Sequence, residues 1–82
     1  GVFMRIDKYL KNSRIIKRRT VAKDACEQGR VMINEKVAKP GDEVKVGDII
    51  EINFGNGNMK VEVVAVMDNV SKDKAQELYK VL

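Results

Sequence analysis

The hydrophobic period of this 82-residue chain changes once, at Gly29, and that change bounds the folds open to it. Before Gly29, Ile6, Tyr9, Leu10 and Ile16, and then Val21, Ala22, Ala25 and Cys26, recur at helical spacing. Lys8, Lys11 and Asn12 lie opposite the first set, and Lys23, Asp24 and Glu27 lie opposite the second. The spacing predicts helices over about residues 5–13 and Thr20–Gln28, joined by the polar linker Ser13–Arg19, with Gly29 as C-cap of the second. After Gly29 the period is two. Val31-Met32-Ile33 enters a turn at Asn34-Glu35, and Lys36–Lys39 leads to the loop Pro40-Gly41-Asp42. Val44–Val46 and the turn Gly47-Asp48 precede a run from Ile49 to Phe54. Gly55–Asn58 reads as a hairpin loop, Met59–Met67 as the returning strand. Ser71 is placed to cap a last helix, Lys72 to about Val81, whose inner stripe is Ala75, Leu78 and Val81 or Leu82. The order predicts an α+β domain: two N-terminal helices on a small antiparallel sheet, with a short C-terminal helix.

A chain this short buries roughly 63 % of its unfolded surface, enough for one core. It has no histidine and one cysteine, Cys26, so the usual zinc sets, a Cys-His pair and a Ser-His-acid triad cannot be built within it. No metal or cofactor is expected. A lone cysteine excludes an intramolecular disulfide and fits a reducing cytoplasm, and Cys26 reads as a small buried apolar residue. No apolar run approaches the roughly 18 residues that span a bilayer, and no secretory signal opens the chain, so neither membrane nor export is expected. Met4-Arg5-Ile6 reads as a natural start, with Gly1-Val2-Phe3 left over from cloning.

Charge is unevenly distributed. Residues 1–39 hold eleven Lys and Arg against four acids, whereas residues 40–82 hold five against eight, so a formal +4 conceals +7 and −3. Such concentration points to a localised surface for a polyanion. Arg5 opens the first helix and Lys17-Arg18-Arg19 opens the second. Cations at helix N-termini cost typically 0.3–1 kcal/mol each against the macrodipole, so four there argue for a site where free backbone N–H groups and guanidinium forks converge on phosphate. Lys8, Lys11, Arg14 and Lys23 would widen that patch. Alanine at Arg5 or Arg19 should then weaken binding and leave folding intact or slightly improved.

Other constellations are weaker. Tyr9 falls on the apolar face and reads as core, and four aromatic residues poorly support a base-stacking single-strand binder, so structured RNA read by phosphate and shape fits better. Asp42, Glu43 and Asp48 flank turn signals and lack the spacing of a calcium loop, so they read as solvated turn residues. The glycines form no phosphate-binding GxxxxGK[ST] or GxGxxG pattern and read as turns.

Met4–Leu10, Ser13–Ala22, Gln28–Asn34 and Val46–Ile50 together resemble the S-four (S4) RNA-binding domain over roughly residues 4–54, with residues 55–82 completing the same domain. The resemblance implies a small curved sheet under two helices whose basic faces bind structured RNA. The short length is similar to that of the stand-alone ribosome-associated proteins of the RqcP (YabO) type, relatives of the fifteen-kilodalton heat-shock protein. That likeness implies a non-enzymatic factor in ribosome-associated quality control. Its implied partners are large-subunit rRNA and the peptidyl-tRNA of an obstructed 50S subunit, with a protein partner in alanine tailing of the stalled chain and a monomeric state off the ribosome. Arg5 and Arg19 match the family's basic positions best, with Arg14, Lys17, Arg18 and Lys8 beside them. One departure is Asn34-Glu35, where many relatives have Asn-Gly: a two-residue type I′ turn needs φ > 0 at both positions, so a longer turn is expected. Two other readings are an RNA-targeting module detached from an enzyme, and a protein-interaction module using Leu78, Tyr79 and Leu82.

Overall fold

The computed structural model describes residues 3–82; of the three residues expected to precede the natural start, Gly1 and Val2 lie outside the described residues. The chain runs β1 (Met4–Arg5), α1 (Ile6–Asn12), α2 (Arg19–Glu27), β2 (Val31–Ile33), β3 (Lys36–Val37), β4 (Glu43–Val44), β5 (Ile49–Asn53), β6 (Asn58–Val63), a 3₁₀ helix (Lys72–Leu78) and β7 (Tyr79–Val81). The α+β class is as expected. Strands β3-β2-β5-β6-β7 form one antiparallel sheet, and β1 pairs with β4 in a separate two-stranded ribbon. That ribbon seats α1, whose first N–H, on Ile6, donates to the Asp42 carbonyl at 2.7 Å.

Alternation along the strands sorts their residues by face. Val31, Ile50, Ile52, Val61 and Val63 are buried and join Ile6, Tyr9, Leu10, Ile16, Ala22, Cys26 and Leu78 in one core cluster. Across the ladder, Glu51 faces Lys60 and Glu62 faces Lys80, so the polar positions meet as opposite charges. Helix α2 ends as its sequence implies: the N–H groups of Gly29 and Arg30 donate to the carbonyls of Cys26 and Ala25, a Schellman arrangement with Gly29 at φ 74°. Val21 departs from the expected inner face and is 50 % exposed, whereas Ala22 and Cys26 are buried and Ala25 packs half-buried against the core.

The C-terminal segment also differs. The expected helix to Val81 is a 3₁₀ helix that stops at Leu78, after which Tyr79–Val81 becomes the edge strand on β6. Continuing an α-helix would require the Leu78 carbonyl to accept from the Leu82 N–H. Here that carbonyl accepts from the Val64 and Ala65 N–H groups and from the Tyr9 hydroxyl at 2.6 Å, while the Leu82 N–H donates to the Lys60 carbonyl. Ala75 and Leu78 are buried as expected, but Val81 and Leu82 are exposed. Strand β6 likewise ends at Val63, short of Met67.

The turn between β2 and β3 is not lengthened. Ile33 pairs with Lys36, leaving the two residues Asn34 and Glu35 at φ 50° and 71°. Asn34 explains this: its amide donates to Asp48 Oδ1 at 3.1 Å, its side-chain oxygen accepts from the Ile49 N–H, and its own N–H donates to the Ile49 carbonyl. Three bonds to the next hairpin thus hold the tight turn at Glu35's expense. Left-handed φ costs a non-glycine residue roughly 1 kcal/mol, so Glu35→Gly is expected to raise stability by about 0.5–1 kcal/mol in urea unfolding.

Asp48, read from sequence as a solvated turn residue, is buried. Its carboxylate accepts from the Lys45 N–H, the Lys45 ammonium and the Asn34 amide. Burial pushes this carboxyl up, but those hydrogen bonds and the Lys45 charge outweigh it and hold the group below the usual carboxylate range. A pKa lowered on folding adds stability that is complete above the unfolded value near 4 and is lost as pH falls through the folded value. The urea midpoint should therefore hold down to about pH 5 and fall below about pH 4, and Asp48→Asn should make that fall shallower.

Candidate nucleic-acid interface

Arg5 ends β1 and Arg19 begins α2, fourteen positions apart in sequence, yet one carboxylate gathers both. Asp7, 2 % exposed, accepts from Arg5 Nε at 3.2 Å and Arg5 Nη2 at 3.1 Å, lies 3.5 Å from Arg19 Nη2, and accepts from the Lys8 N–H at 2.7 Å. Both arginine side chains remain about half exposed, at 50 % and 46 %, and Asp7 takes only two of the five N–H donors of Arg5 and lies near one of Arg19, so each keeps donors for a ligand while its orientation is fixed from below. Asp7 is the residue that sequence reasoning missed. Its signal was an acid in the first turn of a helix, two positions after the arginine expected to bind.

The N-terminus of α2 is open. Arg18 takes the N-cap position with extended backbone and no side-chain cap bond, and no acidic residue sits in the first turn. Unpaired N–H groups therefore point out between Lys17, Arg18 and Arg19, all exposed. Lys23, four residues after Arg19, shares its face of α2.

A second group forms at the other end of α1. Lys11, Arg14 and Lys17 line a cleft of about 400 Å³ whose opposite wall is residues 68–71. Arg14 holds the left-handed position after the Ser13 C-cap, at φ 62°, where α2 uses glycine. Asn12, expected on the solvated side, is turned inward: its amide donates to the carbonyls of Met67 at 2.9 Å and Asp68 at 3.0 Å, tying the far wall to α1. Lys8 pairs with Asp68 at 2.8 Å, and the nearby ammonium holds that exposed carboxyl below its ordinary range. Of the eight expected cations, the structure thus joins Arg5 with Arg19, groups Lys11, Arg14 and Lys17, and engages Lys8 within the chain. Arg18 and Lys23 stand exposed without an ion pair among the described residues.

The other titratable side chains lie inside. Tyr9 is fully buried, as expected of a core residue, and burial, then the neighbouring Tyr79, pushes its phenol up. The Cys26 thiol is pushed up to about 11, first by burial and then by Asp7, Asp42 and Glu27, so it carries little thiolate at neutral pH. Among the described residues no group of three His, Cys, Asp or Glu could hold a metal, and no helix is long and apolar enough to cross a membrane.

Residues 4–50 match the S4 domain model, and the chain is 53 % identical over 78 residues to an RQC P-site tRNA stabilizing factor of Halalkalibacterium halodurans, covering 95 % of this chain and 89 % of that protein. This chain belongs to that S4-domain family. The protein of the same name from Bacillus subtilis is 44 % identical over 79 residues, covering 96 % and 92 % of the two chains. Among solved structures, the trimeric Vibrio cholerae Heat Shock Protein 15 superposes with a TM-score of 0.89 at 30 % identity, over 98 % of this chain and 82 % of that one. The family is non-enzymatic, named for stabilizing a tRNA and not for a reaction. The S4 match contains all eight cations and Asp7 and ends before residues 68–71, so the second wall of the cleft lies outside the matched stretch.

Proposed function

We propose that this chain binds structured RNA on the large ribosomal subunit, contacting large-subunit rRNA and the P-site tRNA of 50S particles obstructed by peptidyl-tRNA. Arg5, Lys8, Lys11, Arg14, Lys17, Arg18, Arg19 and Lys23 form the phosphate-facing surface, and the bound factor supports alanine tailing of the stalled chain together with a protein partner. The observation that carries this reading is the convergence of Arg5 and Arg19 on buried Asp7, beside the uncapped N-terminus of α2. Two oriented forks next to free backbone donors suit a phosphate backbone, which takes bidentate guanidinium bonds and favours the positive end of a helix. The names of the relatives, which specify a P-site tRNA in RQC, support the choice of RNA.

The test is co-sedimentation of the wild-type chain and of an Arg5→Ala, Arg19→Ala variant with 30S, 50S and peptidyl-tRNA-bearing 50S particles. Selective enrichment on the last, lost in a variant that still folds, is expected. Even distribution over all particles, or retention by the variant, would refute the reading. If four to six phosphates are neutralised, affinity should fall with salt at a log–log slope of roughly −3 to −5.

A further inference from the structure

The cleft between α1 and residues 68–71 joins two kinds of chemistry. One wall carries three cations, Lys11, Arg14 and Lys17; the other carries the neutral hydrogen-bonding side chains of Asn69 and Ser71 together with the Asp68 carboxylate, whose charge is paired with Lys8. Ser71 sits at the N-cap of the 3₁₀ helix, where a serine ordinarily bonds a backbone N–H, yet it makes no side-chain cap bond. Its hydroxyl is left for the cleft. The wall is also held in place and not merely adjacent: the buried Asn12 amide grips the Met67 and Asp68 carbonyls, and Lys8 pairs with Asp68. Facing it, Arg14 takes the left-handed position after the Ser13 C-cap, at φ 62°, which ends α1 and sets Arg14 on the cleft beside Lys11 and Lys17.

Cations alone recognise any phosphate. Neutral donor–acceptor groups facing them across one cleft fit a phosphate that carries a hydroxyl beside it, which in a nucleic acid is the ribose 2′-oxygen of RNA. We propose that this cleft holds a ribose–phosphate unit of the RNA backbone, with Lys11, Arg14 and Lys17 on the phosphate and Asn69 and Ser71 on the 2′-hydroxyl. The inference rests on the RNA-binding reading above and adds the group that distinguishes RNA from DNA. It assigns that role to residues beyond the stretch matched by the S4 domain.

The experiment measures binding of the full chain to an RNA hairpin and to the same hairpin with 2′-fluorine, which keeps the A-form but cannot donate a hydrogen bond, across a salt series. Wild type is expected to prefer the hydroxyl hairpin by about three- to tenfold, the range of one to two net hydrogen bonds. Asn69→Ala with Ser71→Ala should abolish the preference at an unchanged salt slope, because no counterion release is involved. Lys11→Ala and Lys17→Ala should weaken both hairpins equally and reduce the slope by about one each. Salt-dependent binding without a preference, or a preference that survives in the Asn69, Ser71 variant, would overturn this inference and leave the RNA-binding reading standing. Affinity that does not fall with salt would overturn both.

Discussion

Replacing Arg5 and Arg19 together by alanine is expected to weaken RNA binding on the order of a hundredfold at 0.1 M salt, since each fork supplies charge-assisted bonds and releases counterions. The same variant should also lose about 0.5–1 kcal/mol of stability, contrary to what the helix dipole alone suggests. Two effects compete. Relief of two cations at helix starts returns about 0.3–1 kcal/mol each. Against it stands Asp7, 2 % exposed, which loses both arginines and keeps the Lys8 N–H as its hydrogen-bond donor. Removing one partner of a buried pair costs about 3–5 kcal/mol, and the half-exposed arginine side chains reduce that by roughly half. The buried carboxylate decides the sign. Adding Asp7→Asn to the double variant should recover most of the stability and none of the affinity, which separates positioning from binding. Urea unfolding followed by circular dichroism, alongside sedimentation, reads both quantities; a double variant as stable as wild type would show that Asp7 does not depend on the arginines.

Leu78→Ala should give the largest loss of stability, about 3 kcal/mol, lowering the thermal midpoint by roughly 10–20 °C. Leu78 is fully buried, and its backbone carbonyl is the point at which the C-terminal segment meets the rest of the fold. It accepts from Tyr9 of α1 and from Val64 and Ala65 beyond β6. An 82-residue domain has about 4–12 kcal/mol in total, so this one cavity consumes a large share. Val81→Ala supplies the control. Val81 is 61 % exposed on edge strand β7, so its loss should stay within about 0.5 kcal/mol. Had the last helix continued through Val81, both substitutions would cost alike, and equal effects in thermal unfolding would reinstate that helix.

Much of the architecture was legible before any coordinate. The change of period at Gly29 separates helices from sheet because burial imposes 3.6-residue spacing on one and alternation on the other, whatever the partner. Gly29 itself was readable for the same local reason, since its bonds close within six residues. Helix ends and cations within them are also local, so the clustering of Lys17, Arg18 and Arg19 at the open end of α2 could be read directly.

Several misreadings share one cause: the segment is bonded to something distant in sequence. Asp48 and Asn34 lie fourteen positions apart, Asn12 and Asp68 fifty-six, and Tyr9 and Leu78 sixty-nine. Glu35 tolerates a strained φ because Asn34 is tied to the neighbouring hairpin, and the last helix stops because its carbonyl is already taken.

By itself the sequence determined that two basic helices precede a small antiparallel sheet, and that positive charge gathers in the first half of the chain. Only the tertiary structure decided that Arg5 and Arg19 share one carboxylate, and that residues 68–71 close a cleft over Lys11, Arg14 and Lys17. Periodicity and charge are properties of neighbours along the chain, whereas the pairing of side chains depends on which segments burial brings together.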